Sequence, residues 1–223
     1  MDLPLLDCVP LFQGIDRCDL GHLLTCLNGV VRRHAKQSIL LIPGETTERF
    51  GVVLEGRVEL SDVDYTGHRH ILDTLGRGAL FGEVFALTGR PATVGVTAVE
   101  PTTVLHLDGR KLAEPCHRRC PFHRRLNDRM LIFLAEKNYH LTRKVNIHAK
   151  RTTRHKVLAY LTDVARAAHS DHITIPLNRQ QMADYLAVDR SALSAELSRM
   201  RDEGLITFHR NQFTLHVTPR DAP

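Results

Sequence analysis

The run Val188-Asp189-Arg190-Ser191-Ala192-Leu193-Ser194 gathers a helix-capping residue, a guanidinium and two hydroxyls in one short stretch. With Asp189 as the cap, Arg190, Ser191 and Ser194 share the leading face of the helix that follows, where backbone N–H groups point outward. A guanidinium placed there can hold guanine through two parallel hydrogen bonds. Arg199 and Arg201 lie farther along, where phosphate contact is more natural than base reading. Arg179 in the preceding segment completes a candidate DNA-facing set of Arg179, Arg190, Ser191, Ser194 and Arg199. Similar caps and spacings also occur in helical hairpins that never meet DNA.

A second stretch, Phe81-Gly82-Glu83, suggests a pocket. A backbone glycine beside a carboxylate, followed by Arg90 and Thr93, could hold a sugar hydroxyl and a phosphate. Arg90 is followed by Pro91, which has no N–H to offer a phosphate.

The remaining reactive side chains suggest less. Cys8, Cys18, Cys26, Cys116 and Cys120 are odd in number and include no C-x-x-C pair, so no disulfide framework is expected. Cys116, His117, Cys120 and His123 are two thiolates and two imidazoles within eight residues, a donor set that zinc accepts. Pro121 breaks that spacing and arginines surround it, so no metal site is assigned and the cofactor stays unknown. His68 and His70 point the same way on a strand and read as a surface pair. No phosphate-binding Gly-x-x-x-x-Gly-Lys, His-Glu-x-x-His or nucleophile motif is present, so an enzyme is not expected.

These residues need elements to place them. Residues 38–107 read as short strands broken by glycines: 38–42, 50–54, 58–63, 69–72, 93–99 and 103–107, with a turn at 65–67. That spacing implies an antiparallel roll or barrel. Beyond Asp108 the period changes. From Pro121 a helix carries Asn127, Leu131, Leu134, Asn138, Leu141, Val145 and His148 at alternating spacings of 4 and 3. Such a heptad seam suits two helices running side by side, with Asn138 fixing register. Leu131, Leu134, Asn138, Leu141 and Val145 are the expected dimer contacts.

A third segment begins near Lys150. It comprises a helix over 153–168, a short strand at 173–175 and a capping box at Asn178-Arg179-Gln180-Gln181. The two helices of a tight helix-turn-helix follow, then a hairpin over 205–217 stopped and started by Gly204. Met182, Leu186, Leu193, Leu197 and Met200 form the small core that sets the helix angle. Together these make a winged helix-turn-helix.

Charge agrees with this division. The formal net charge is +5; residues 1–142 carry 17 Lys/Arg and 17 Asp/Glu, whereas 143–223 carry 13 against 8. Only the back of the chain suits a polyanion. No run approaches the roughly 18 apolar residues of a membrane helix and no signal core is seen, so a soluble, cytoplasmic protein is expected.

The order of Gly-rich roll, long helix and winged helix-turn-helix resembles the cyclic-AMP receptor protein/FNR transcription regulators. The resemblance runs from Leu11-Phe12 to Val217 through Pro43-Gly44-Glu45, Glu55-Gly56, Gly78, Phe81-Gly82-Glu83, Asn178-Arg179-Gln180-Gln181, Arg190-Ser191-Ala192-Leu193-Ser194 and Asp202-Glu203-Gly204-Leu205-Ile206. It implies an α+β protein in three parts: an N-terminal antiparallel β-roll, cupin-like and of the cyclic-nucleotide-binding type, over 1–113; a dimerisation helix over 114–149; and the DNA-binding head over 150–223. It also implies a homodimer on double-stranded DNA at a two-fold-related operator, an unidentified small-molecule effector in the roll that reorients the heads, and RNA polymerase as a further candidate partner.

The sequence departs from the family pattern in several places. In cyclic-nucleotide members an Arg-Ser/Thr pair takes the cyclic phosphate, but a gapless count from Glu83 puts Ala92-Thr93 there. The Thr-Ser pair that touches adenine falls near His140-Leu141. Gly82, Glu83, Arg90, Thr93, Tyr139 and His140 are therefore expected to line a pocket for some other signal, whether a small ligand, a redox or gas signal, or haem; a roll without a ligand also remains open. Cys8, Cys18 and Cys26 lack the spacing of the FNR cluster ligands. In the recognition helix, Arg190 matches the cyclic-AMP receptor pattern while Ser191 and Ala195 do not, and only Ser194 agrees with the FNR pattern. Two alternatives stand: a cyclic-nucleotide-gated regulator of the same architecture, and a sensory adaptor whose basic back binds a protein.

Overall fold

The computed structural model describes residues 6, 9–64, 68–113 and 121–216. They divide into two compact units, Met1–Ala135 and Glu136–Pro223.

The first unit starts with helix α1 (Arg17–Cys26) and strands β1 (Val30–His34), β2 (Ile39–Leu41), β3 (Arg49–Glu55), β4 (Val58–Val63), β5 (Arg69–Leu75) and β6 (Leu80–Phe81). Helix α2 (Glu83–Thr88), strands β7 (Gly95–Ala98) and β8 (Thr102–Asp108) and helix α3 (Gly109–Ala113) follow, and α4 spans Pro121–His148. The strands form two four-stranded antiparallel sheets, β1-β8-β3-β6 and β2-β7-β4-β5.

Strand β3 shows how the roll is held. Five consecutive residues, Phe50 to Leu54, are buried, so both faces of the strand meet apolar neighbours. Phe50, Val52 and Leu54 pack with Leu20, Leu23 and Leu24 of α1, Leu105 and Leu107 of β8, and Phe122, Leu126 and Met130 of α4. Val53 faces the other way, into a cluster of Leu41, Val58, Phe81, Ala92, Val96 and Val104 drawn from both sheets. Gly51 shares that inner face, and the Phe81 ring lies where its side chain would be: a Cβ there would come within 2.1 Å of the ring. The apolar run 50–54 thus lies between two clusters, and the glycine lets an aromatic fill the interior.

In the second unit come α5 (Thr153–Ala168), β9 (His172–Thr174), α6 (Arg179–Leu186), α7 (Arg190–Asp202), β10 (Ile206–His209) and β11 (Gln212–Leu215). A three-stranded sheet in the order β10-β11-β9 forms the wing. Met182, Leu186, Leu193, Leu197 and Met200 are fully buried together with Val157, Leu161, Ile206 and Phe213. The capping box at α6 is complete: Asn178 Oδ1 accepts from the Gln181 N–H at 2.9 Å, and Gln181 Oε1 accepts from the Asn178 N–H at 2.9 Å. Ala187 turns the chain in the left-handed region, φ 49°, and its N–H bonds to Ala183 and Asp184 carbonyls. The expected cap at Asp189 is corrected: Asp189 has the extended N-cap backbone, but its side chain makes no capping hydrogen bond. The first-turn N–H groups of α7 are left uncapped by it.

Helix α4 is shared between the units. Phe122, Leu126 and Met130 belong to the core of the first, and Ile147 to the core of the second. On its seam Leu131, Leu141 and Val145 are 69%, 55% and 65% exposed. Asn127 and Asn138 are exposed as well, whereas Leu134 packs partly against the first core. A helix folding only onto its own domain would bury such residues, so the seam is apolar surface without cover within this chain's described residues.

Candidate functional site

The leading face of α7 carries Arg190, Ser191 and Ser194, all exposed. Buried Leu193, Leu197 and Met200 on the opposite side fix the helix against α5 and α6, so the polar face must look outward. Arg190 makes no ion pair or hydrogen bond to any described residue, and no acidic residue sits in the first turn of α7. A free cation on uncapped N–H groups forms a concentrated anion-seeking edge.

The other two arginines of the set are already engaged. Arg179 lies over the rings of Phe208 and Phe213, at 5.3 and 5.7 Å from their centroids, and donates to the Arg210 carbonyl at 3.4 Å. Burial lowers its pKa. Its guanidinium thus ties the start of α6 to the wing, and only its remaining donors are left for a phosphate. Arg199 pairs with Glu196 at 3.1 Å. Arg201, also considered from the sequence, is held by its neighbour Asp202 at 2.9 Å.

Glu196, which the sequence reading passed over, is a buried carboxylate in the middle of α7. Arg154 in the first turn of α5 donates to it through Nε at 2.7 Å, and to both oxygens of Glu203 at 2.9 and 2.7 Å. The Glu196–Arg199 spacing was a readable helical pair. The Arg154 contacts span more than forty residues and left no local signal.

In the roll, Gly82 takes the left-handed conformation, φ 76°, as the residue before α2, and Glu83 is buried in the first turn. The frame expected from the sequence is therefore built. The phosphate position differs. Ala92 is buried in the apolar cluster, its N–H donates to the Glu45 carbonyl at 2.8 Å and its carbonyl accepts from the Gly44 N–H at 2.7 Å. Neither its side chain nor its backbone can grip an anion. Arg90 and Thr93 are exposed on the loop after α2, and the Arg90 N–H reaches Thr88 Oγ1 at 3.4 Å. Tyr139 and His140 belong to the second unit and are exposed there, with ring centroids 5.9 Å apart.

Within the roll an imidazole pair escaped the sequence reading. His34 and His106, on neighbouring strands, meet Nε2 to Nε2 at 3.2 Å. Burial, with His34, Arg32 and Arg49 adding repulsion, pushes the His106 pKa down to about 4; burial and Arg32 lower that of His34. The expected surface pair is exposed: His70 Nε2 lies 3.2 Å, and His68 Nδ1 3.8 Å, from Asp64 Oδ2. Cys8, Cys116, His117 and Cys120 lie outside the described residues. His123 is buried, with no hydrogen-bond partner for either ring nitrogen. Cys18 and Cys26 are free thiols. Among the described residues no group of three or more His, Cys, Asp or Glu could hold a metal, and no helix is long and apolar enough to cross a membrane.

Comparison with known proteins adds a framework to this geometry. Residues 31–119 match the cyclic nucleotide-binding domain and residues 155–220 the Crp-like helix-turn-helix domain. A global nitrogen regulator of Nostoc sp. is 24% identical over 192 residues, covering 84% of this chain and 85% of that protein. A probable transcriptional regulator, flp, of Lacticaseibacillus casei is 23% identical over 174 residues, 78% of each. Among solved structures the Thermus thermophilus catabolite activator protein shares 22% identity, covers 93% of each chain and superposes with a TM-score of 0.55. That solved structure supports the fold: a roll, a long helix and a winged head in the same order.

Proposed function

The chain belongs to the Crp/Fnr family of transcription regulators, and from that premise we propose that it works as a homodimer that reads a two-fold-related operator through α7. The family is non-enzymatic, and this member carries a DNA-binding head and an effector-binding domain. The observation that carries the proposal is the unpartnered, exposed Arg190 beside Ser191 and Ser194 on the leading face of α7. Arg190 takes guanine in the major groove, Ser191 and Ser194 reach neighbouring base edges or phosphates, and Arg199 meets a phosphate once the helix is seated. Arg179 supports the wing and offers its remaining donors to the backbone. Leu131, Asn138, Leu141 and Val145 pair with a second copy along the α4 seam, which would cover their exposed apolar surface. Working on DNA, the protein acts in the cytoplasm.

The effector is not a cyclic nucleotide. Glu83 and Gly82 supply a frame, but Ala92 closes the position of the phosphate clamp, and losing a charge-assisted pair removes the strongest contact an anion would find there. The signal acts by favouring one arrangement of the dimer over another. In calorimetry, cAMP and cGMP at up to about 1 mM, a range that would report binding as weak as about −4 kcal/mol, should give no saturable heat. Selection from a random duplex pool, followed by footprinting, tests the DNA reading. Two protected half-sites about one helical turn apart are expected; a single unsymmetrical site, or no recovered duplex, would remove the proposal.

A further inference from the structure

The carboxylate in the middle of the recognition helix stands out because it is buried, away from any base edge it could read. Glu196 sits about one and a half turns beyond Arg190 and Ser191, and its side chain is 8% exposed. Its two oxygens have different partners. Oε1 accepts from Arg154 Nε at 2.7 Å, and Oε2 forms an ion pair with Arg199 Nη2 at 3.1 Å. Arg154 uses its two other nitrogens on Glu203, near the end of α7. One guanidinium on α5 therefore grips α7 at two points about two turns apart, and the inner point also holds the arginine best placed for phosphate.

The Arg199 side chain is 65% exposed and Glu196 is almost covered, so the pair is exposed on the cationic side only. A phosphate approaching Arg199 must compete with a carboxylate already within hydrogen-bond distance, and meets its negative charge. An incidental encounter with the DNA backbone is disfavoured by that competition. A seated recognition helix, held in the groove by base contacts, brings the phosphate close enough to win Arg199. Resting on the reading of α7 as the DNA-recognition helix, we propose that Glu196 is a specificity-determining residue that withholds Arg199 from indiscriminate phosphate contact, with Arg154 as the positioning residue that holds Glu196 and α7 in place. The device lowers sequence-independent binding more than operator binding.

The test uses the full-length chain, a duplex of random sequence and a duplex recovered by selection. In Glu196→Gln the amide oxygen keeps an acceptor for Arg154 while the charge on Arg199 is released. Random-duplex affinity should rise about three- to tenfold, and the slope of log affinity against log salt should steepen by about 0.9 for each head engaged. The ratio of selected to random affinity should fall. Adding Arg199→Ala to Glu196→Gln should return the slope to the wild-type value, which a general loosening of the head would not do. In wild-type background, Arg199→Ala should leave random-duplex slope unchanged yet weaken selected binding, a measurement that needs no change at Glu196. Glu203→Gln, which loosens the Arg154 fork without touching Arg199, should weaken selected binding with no steeper slope. An unchanged slope in Glu196→Gln, or a slope lowered by about 0.9 per head in wild-type Arg199→Ala, overturns the proposal. Failure to recover any duplex with the wild-type protein would instead remove the DNA reading itself.

Discussion

The head and the roll contain the same kinds of residue but use them differently. On α6 and α7 the Arg190 side chain is unpaired, whereas Arg179, Arg199 and Arg201 are each tied to the protein. In the roll, Gly82 and Glu83 take the turn and helix start expected of the frame, while Ala92, counted from the sequence as the clamp position, is a buried methyl. A family frame can therefore be kept by packing while its chemistry changes. In the head, the residues proposed to read DNA project from a core that fixes their direction. The roll can change its signal because Gly82 and Glu83 are held by a turn and a helix start, whatever fills the site.

The sharpest way to separate the two regions is to damage the core of one. Phe213 is buried and stacks on Phe208 with ring centroids 5.6 Å apart, under the Arg179 guanidinium. Phe213→Ala should destabilise the head by about 3–5 kcal/mol and leave the thermal transition of the roll where it was. Scanning calorimetry would show this as one shifted transition; a single transition moving as a whole would mean that the regions do not fold separately. In the roll, Gly51→Ala forces the Phe81 ring out of the inner face. A loss of about 1–3 kcal/mol is expected, confined to the roll transition, with random-duplex binding unchanged.

Acid should also distinguish the regions. The histidines whose pKa burial lowers, His34, His106 and His123, all lie in the first unit. An unfolded chain takes up protons near pH 6.5 that these folded imidazoles refuse. The roll therefore has their full contribution above that pH and loses it as pH falls toward about 4, the folded value for His106. Melting the roll at pH 7 and pH 5 should show the drop, and His106→Gln should make it smaller. An equal drop in the variant would free the imidazole pair of this role. Smaller still is the cap of α6: Asn178→Ala should cost the head about 1 kcal/mol, read as a shift of its transition alone.

How legible each region was follows from the range of its forces. The capping box at Asn178, the stop at Gly204 and the apolar positions of α6 and α7 act within a turn or two, and all were readable. The strands at 50–54 and 58–63 announced themselves as short segments punctuated by glycines. Strand β1 did not, because Val30-Val31-Arg32-Arg33-His34 places polar residues on an edge strand that alternation does not mark. Helix α2 was also missed: its six residues follow a left-handed glycine and bury only Glu83 and Ala86, too little for a period to show. Asp189 was read as a side-chain cap from its type alone, and the backbone took the cap geometry without the hydrogen bond. At the sites, Arg190 was legible because its position follows from the helix start. The engagement of Arg179 by two wing aromatics, and of Glu196 by Arg154, depends on tertiary contacts that no local pattern encodes.

The central claim is that this head reads sequence through Arg190, the unpaired arginine on the leading face of α7. It is tested most directly by measuring, at one salt concentration, the affinity of wild-type and Arg190→Ala protein for a selected duplex and for its scrambled counterpart. Wild-type should prefer the selected duplex by at least about a thousandfold. Arg190→Ala should lose about 1–3 kcal/mol per half-site on that duplex and much less on the scrambled one, so the preference collapses. Equal losses on both duplexes would show Arg190 to be a phosphate contact only, and an unchanged preference would place sequence reading elsewhere in the molecule.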